Sequence, residues 1–490
     1  MSRPRTTHRP ATVAALLLSL FMAAMEMTVV ATAMPTVVGE LGGALHYGWV
    51  FTAYMLTSTV TVPIYGKLAD LRGRKPVMLF AMALFLLGSM ASGQARTMNQ
   101  LIAFRAVQGI GAGGLQPIAL TVVGDIFNFE ERAKMQGLFG AVWAIAGLIG
   151  PLLGGVIVAT LSWRWVFYVN VPFGLVSAAV ITFSLVETVE RRQHALDVSG
   201  AVLLAGAVVS LLLGADGHAP WVLLPASAAL TTAFLYVETR AKEPILPLGL
   251  FAQRIMMTST PLSALAGGAM IGISTFIPLY AQGVLGATPT EAGSAIATMA
   301  LTWPVASAIS GRLIAKIGFR ALVRLGFFIV AAGAVWLTFA AMTGAPVGAL
   351  RLGSAIVGVG MGLSNTPLVI AVQTSVGFSQ RGVATASTMF FRNIGGTVAV
   401  GVMGVVLARA LLAGAAQRAG GAELVARILG PERRSVDPGV LASISGDLAS
   451  GIASVMWIVT ALAAGAALVA WLFPHVPTKD NQVSAPGTSA

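Results

Sequence analysis

The chain has 490 residues, of which 56% are hydrophobic and 10% charged, and it contains no cysteine. Soluble domains carry about 25% charged residues, so this composition excludes a soluble protein. The lack of cysteine excludes disulfides, thiolate metal sites and a cysteine nucleophile. The formal charge of +12 does not point to nucleic acid, because the bases fall between apolar runs. Membrane proteins concentrate Lys and Arg in such cytoplasmic segments.

A spanning helix needs about 20 mostly apolar residues, and the chain offers fourteen candidates. Arg3, Arg5 and Arg9 precede the first run, and Ala31-Thr32-Ala33 imitates a signal-peptidase site. The run 11–38 is too long for a signal h-region and is read as a retained span. It is followed by 47–69, 77–95, 101–125, 134–160 and 164–186, then by two shorter spans at 197–214 and 220–238. A second group covers 255–283, 288–315, 321–342, 347–374, 383–409 and 450–473. This divides the chain into an N-terminus (1–10), a six-helix half (11–186), a linker with two extra helices (187–254), a second six-helix half (255–473) and a tail (474–490). With the N-terminus inside, most of the 30 Lys and Arg lie on the cytoplasmic side, whereas Arg96, Arg164 and Arg351 occupy short outer loops. An even span count returns the C-terminus to the cytoplasm.

The six, two, six division is supported by an internal repeat. Gly109, Gly111 and Gly113 recur 249 residues later as Gly358, Gly360 and Gly362, and Glu131-Arg132 recurs as Gln380-Arg381. The charged run Gly66 to Lys75 has a weaker echo 245 residues on, at Gly311 to Arg320. Two pseudo-symmetric halves with a site between them is a carrier layout.

Glu26 lies near the middle of the first span. A charged side chain there costs roughly 2.5–3.5 kcal/mol on insertion scales, so such residues line a cavity or pair. Burial favours the neutral form and a nearby cation the anion, so a carboxyl between these pulls can take up or release a proton as its access changes. The alternative is a static Glu bonded to a neighbouring helix. Arg105 sits about one turn inside the outer end of span four, with Gln108 one turn further on the same side; snorkelling to the interface is its bland reading. Gly147, Gly150, Gly154 and Gly155 form one small helix face suited to close packing, and Pro151 should bend span five. Met22 and Met25 are candidates for a substrate cavity, since methionine adapts to varied apolar shapes, although ordinary packing explains either equally well. Asn365 and Gln373 share a face of span twelve and would contact substrate or bridge helices.

Four stretches together resemble the major facilitator superfamily of secondary transporters. They are Gly66 to Lys75, Arg105 to Gly114, Gly147 to Gly155, and Met25 to Pro35 taken with Trp163 to Pro172. The last pair, with Arg381 to Thr385 and Phe391 to Gly396, is similar to the fourteen-helix drug/proton antiporter branch, although that branch usually carries Asp where this chain has Glu26. The resemblance implies an all-α integral membrane fold of two six-helix halves plus two central helices. It implies a gating loop of Gly66, Asp70, Arg72, Gly73, Arg74 and Lys75, with Asp125 pairing Arg74 as a cytoplasmic latch. It also implies proton coupling through Glu26, Arg105 and Gln108, and an antiporter motif at Gly147 to Gly155 that controls how the halves rock.

The expected function is therefore export of lipophilic, cationic compounds across the inner (cytoplasmic) membrane in exchange for protons. The proton gradient would be the driving force with no cofactor, and the protein would be a monomer whose partners are protons, substrate and membrane lipids, with no nucleic acid and no metal. A lipid or lipid-linked exporter on the same scaffold is the rival, and a transporter-like receptor without flux a more distant one. An enzyme is disfavoured, as neither a nucleophile nor a phosphate-binding loop is present. The loop at about 414–447 carries apolar positions at helical spacing around Leu424 and Val440, which suggests two short amphipathic helices on the outer surface.

Overall fold

A computed structural model describes residues 7–127, 129–186, 197–215, 219–241, 244, 248–376, 381–415 and 437–477. Among these residues all the long elements are helices, as a lipid environment requires of chains whose backbone must bond internally. They are α1 (Arg9–Leu41), α2 (Tyr47–Arg72), α3 (Arg74–Gly93), α4 (Met98–Ile126), α5 (Phe129–Thr160), the short α6 (Trp165–Tyr168), α7 (Asn170–Ser184), α8 (Val198–Ala215), α9 (Pro220–Arg240), α10 (Arg254–Gly283), α11 (Pro289–Thr343), α12 (Val347–Ser375), α13 (Arg381–Ala415) and α14 (Pro438–Trp471). Eleven helices in the described residues are long and apolar enough to cross a membrane. The chain is a multi-pass integral membrane protein.

Three departures from the sequence reading concern where helices stop. The charged run from Gly66 is not a loop: α2 continues to Arg72, α3 begins at Arg74, and the whole turn is Gly73. Its φ of 102° lies where only glycine is unstrained, so one residue reverses the chain. Spans ten and eleven are one 55-residue helix broken only at Gly318, whose φ is 77°. Gly318 stands 245 residues after Gly73, so the weak echo marks the same backbone device in both halves. The third departure is at the end of the chain, where α14 starts at Pro438 with Asp437 capping its first amides. Val440, Leu441 and Ile444 therefore belong to the last long helix and not to a separate surface helix. Residues 416–436, the linker 187–196 and the tail 478–490 lie outside the described residues, as does the side chain of Asp70.

The glycine repeat has a packing basis. A Cβ on Gly109 would come within 2.1 Å of Thr57 Oγ1, and one on Gly358 within 2.1 Å of Thr302 Oγ1. Thr57 donates to the Ala106 carbonyl at 2.9 Å and Thr302 to the Ala355 carbonyl at 3.0 Å. Gly111 abuts the backbone of α3 at Phe85, as Gly360 abuts Val330 in the second arm of α11. Helix pairs α2·α4 and α3·α4 in one half thus match the two arms of α11 on α12 in the other.

The halves meet chiefly at the end of the bundle that carries Gly42 and Gly283. There Gly48 touches Gly404 backbone to backbone, and Gly155 lies against Pro289 and Thr290. Tyr47 donates to the Thr275 carbonyl at 2.7 Å, and Gln282 to the Thr32 carbonyl at 3.0 Å. Among the described residues these bonds close the Gly42 end. Helix α8 adds a brace, with Leu212 buried against the α2 and α13 surfaces near Leu56 and Gly401.

Candidate functional site

Proline-tolerant, apolar α1 places Glu26 at the middle of the bundle, 1% exposed. Helix α4 lies beside it because the glycines at 109, 111 and 113 let that helix press against α2 and α3. This close approach brings Arg105, also fully buried, to the carboxylate: Arg105 Nη1 donates to Glu26 Oε1 at 2.5 Å. The same nitrogen donates to Gln108 Oε1 at 2.7 Å, one turn along α4. The first residue of α7 closes the other side, with Asn170 Nδ2 donating to Glu26 Oε2 at 2.5 Å and to Ser89 Oγ at 3.0 Å. Ser89 in turn donates to the Phe167 carbonyl at 2.8 Å.

The guanidinium is further held by aromatic faces, 4.1 Å from the Tyr54 centroid and 5.9 Å from that of Phe167. Such stacking suits the planar, always-charged arginine and would not be reproduced by lysine. Two buried polar atoms in this cluster, Gln108 Nε2 and Asn170 Oδ1, have no hydrogen-bond partner among the described residues. The network joins α1, α3, α4 and α7, and the ion pair is its link between α1 and α4.

The remaining predicted positions fall into three groups. Arg74 and Asp125 do pair, Nε to Oδ2 at 2.9 Å, and Arg74 also donates to the Ala69 carbonyl at 3.1 Å. Lys75 caps the end of α7, donating to the carbonyls of Thr182 and Leu185, while Arg72 is exposed and Gly66 has open space around it. In α5, Gly150 and Gly154 lie against Thr28 and Val29 of α1, and Gly147 and Gly155 against Ala300 and Thr290 of α11. Gly293 of α11 approaches the Pro151 carbonyl. The small face is therefore a double seam that touches both halves.

Met22 and Met25 are fully buried in the packed core of the first half, with no open surface in this state. Asn365 and Gln373 are half-buried, and Gln373 donates to Thr385 Oγ1 at 3.1 Å, bridging α12 to α13. Two polar positions that the structure ties into networks were not singled out from sequence. Asn170 lies in the stretch Trp163 to Pro172, but its role depends on the α1–α7 approach. Glu40 accepts from Arg164 Nη1 at 2.5 Å and from Trp163 Nε1 at 2.6 Å, and only its place at the end of an apolar run hinted at a partner.

Comparison with known proteins places the chain in a family. The sequence profile of the Major Facilitator Superfamily matches residues 16–400. The multidrug transporter protein MdtP of Bacillus subtilis is 38% identical over 412 residues, 82% of this chain and 76% of that protein. Multidrug resistance protein 3 of the same organism is 38% identical over 401 residues, 80% of this chain and 78% of its own length. Among solved structures, a bacterial homologue of the human lysosomal transporter Spinster, inward-facing and unoccupied, superposes with a TM-score of 0.69 at 15% identity. That match covers 96% of this chain and 98% of the other, a likeness of fold alone.

Proposed function

The chain belongs to the Major Facilitator Superfamily, and from that premise we propose that it is a proton-coupled exporter of lipophilic, cationic compounds of the fourteen-span drug-antiporter kind. Fourteen spans follow if α2 and α8 are added to the eleven long apolar helices and α11 is divided at Gly318. The Gly73 end, which carries Arg72, Arg74 and Lys75, faces the cytoplasm by the positive-inside rule. The inner membrane is the site of action, and both termini are cytoplasmic. The bundle closed at its Gly42 end then represents a state shut to the outside.

The observation that carries this reading is the buried Glu26–Arg105 pair. Both carboxylate oxygens are occupied in this state, one by Arg105 and one by Asn170, so a cationic substrate does not contact Glu26 directly. A proton does the work of displacement. Protonated Glu26 loses its attraction for the guanidinium and gains an O–H that needs an acceptor. Asn170 Oδ1, unpaired here, supplies one once its amide turns over. The ion pair joining α1 to α4 is exchanged for a neutral contact to α7, and α1 is free to shift against α5 and α10, which it also packs. Proton uptake is thereby converted into movement between the halves, and no cofactor is required. The protein acts as a monomer, since each monomer holds a complete pair.

The test is transport in proteoliposomes. An imposed proton gradient should drive ethidium against its gradient and produce counterflow of protons. Glu26→Gln keeps the side-chain size, removes titration, and should abolish both. Undiminished proton-driven flux in that variant would refute the reading.

A further inference from the structure

Arg105 is not the chain's sole membrane-depth cation. Arg392 stands eleven residues into α13, about 16 Å along the helix at 1.5 Å per residue. Unlike Arg105 it has neither a carboxylate nor a hydrogen-bond partner among the described residues. An unpaired charge at such depth is expensive, and side chains of this kind face a cavity and mark a substrate path.

The direction of Arg392 follows from its neighbours. Gly396, one turn on and on the same helix face, would place a Cβ 2.9 Å from Ile271 of α10 and 3.1 Å from Met55 Cε of α2. That face of α13 therefore lies over α10 at the edge of the seam, where Met55 of the other half reaches it. A Cβ on Gly267 of α10 would come within 2.0 Å of the Arg392 carbonyl oxygen and 2.9 Å of its Cγ, so the missing side chain lets the α13 backbone and the arginine stem lie directly on α10. The next residue, Asn393, is exposed and Arg392 itself is half-buried. On the pseudo-symmetric helix α5 the 249-residue offset puts the exposed Trp143 in the matching place, an uncharged residue, while Gly396 itself corresponds to Gly147, which touches Ala300 across the seam. Three phenylalanines complete the setting, Phe390 against Phe391 and Phe391 against Phe251, each pair with centroids 5.6 Å apart.

We propose that Arg392 is an anion subsite of the central cavity, which receives the carboxylate, sulfonate or phosphate of an amphipathic molecule whose apolar body lies along the Phe390, Phe391 and Phe251 rings. The planar guanidinium matches such oxyanions bidentately, and an acidic group supplies the counter-charge that the described residues lack. The substrate range then includes acidic amphiphiles beside the cations, the two classes using different groups: Arg392 for acids, the Glu26 switch for coupling. This inference rests on the proposed export function, in which the substrate passes between the two halves.

The test uses the full chain in phosphatidylcholine nanodiscs, titrated with the aromatic sulfonate 8-anilinonaphthalene-1-sulfonate and with ethidium, each corrected for empty nanodiscs. Arg392→Gln should weaken sulfonate binding at least tenfold and leave ethidium binding within twofold, while Arg392→Lys should recover part of the loss. Adding phosphatidylglycerol to the nanodiscs separates the two sources of the acid. Competition with the sulfonate in the wild type identifies a lipid headgroup as occupant, and its absence identifies a free amphiphile. Equal sulfonate affinity in wild type and Arg392→Gln, no sulfonate binding by the wild type, or an equal loss of both dyes would overturn the proposal. Failure of proton-driven ethidium flux with sulfonate binding intact would instead sink the export mechanism and leave the subsite standing.

Discussion

Replacing either member of the Glu26–Arg105 pair leaves a buried group without its partner, and the two replacements should not cost the same. Breaking a buried pair by removing one partner costs about 3–5 kcal/mol. In Glu26→Gln the guanidinium keeps Gln108 Oε1 at 2.7 Å and the Tyr54 ring at 4.1 Å. A desolvated cation–π contact is worth about 2 kcal/mol, which puts the cost near the lower bound, about 3 kcal/mol. In Arg105→Gln the carboxylate keeps Asn170 and can also be neutralised by a proton, an escape that arginine does not have. Its cost should therefore be smaller at pH 5 than at pH 8. The double variant leaves two neutral amides of similar volume, so it should cost no more than one single change, with an interaction energy of about 3 kcal/mol or more at pH 8. Denaturant unfolding of the purified protein in micelles, followed at both pH values, measures all three. Additive single effects, or a pH-independent cost for Arg105→Gln, would refute the pairing as an energetic unit.

Three further outcomes follow from the packing. Gly111→Ala would push a Cβ to 2.2 Å from the Phe85 backbone nitrogen, whereas Gly147→Ala meets only the Ala300 side chain at 3.2 Å; the first should lose folded yield and the second should fold normally, read by size-exclusion profile and thermal midpoint. Arg74→Ala removes a pair whose Asp125 side chain is half exposed, so stability should change by less than about 1 kcal/mol while transport rate falls if the latch matters; a large stability loss would contradict this. Tyr47→Phe deletes the bond to the Thr275 carbonyl and leaves a buried acceptor unpaired, a cost of about 1–3 kcal/mol borne by the closed Gly42 end. Spin-label distances between α2 and α10 should shift toward an open population, and an unchanged distribution would show that the bond does not hold that end.

Much of this was readable before any coordinates, for physical reasons that also set the limit. The all-helical, multi-pass fold followed from apolar run length because lipid leaves the backbone few alternatives. Glu26 was found because a charge at mid-membrane is conspicuous, and Arg105 and Gln108 because they share one face of one helix. That Arg105 reaches Glu26, and that Asn170 takes the second oxygen, depends on how α1, α4 and α7 are rotated against one another, which no single run encodes. Gly73 and Gly318 looked like loop residues because they sit among charges; the helices continue to within one residue of each, since a single positive φ suffices to turn the chain. Arg392 appeared only as a letter in a motif, and its isolation emerges when its neighbours are seen to be apolar, glycine or aromatic.

The central claim is that a proton and a loaded transporter compete through Glu26, and proton release on substrate binding tests it most directly. Purified protein in weakly buffered micelles, mixed with ethidium and followed with a pH-indicating dye, should release protons in the wild type, more when the starting pH is low enough for Glu26 to be protonated. Glu26→Gln should bind ethidium with no proton release at any pH. Equal release by both proteins, or none by the wild type, would contradict the account.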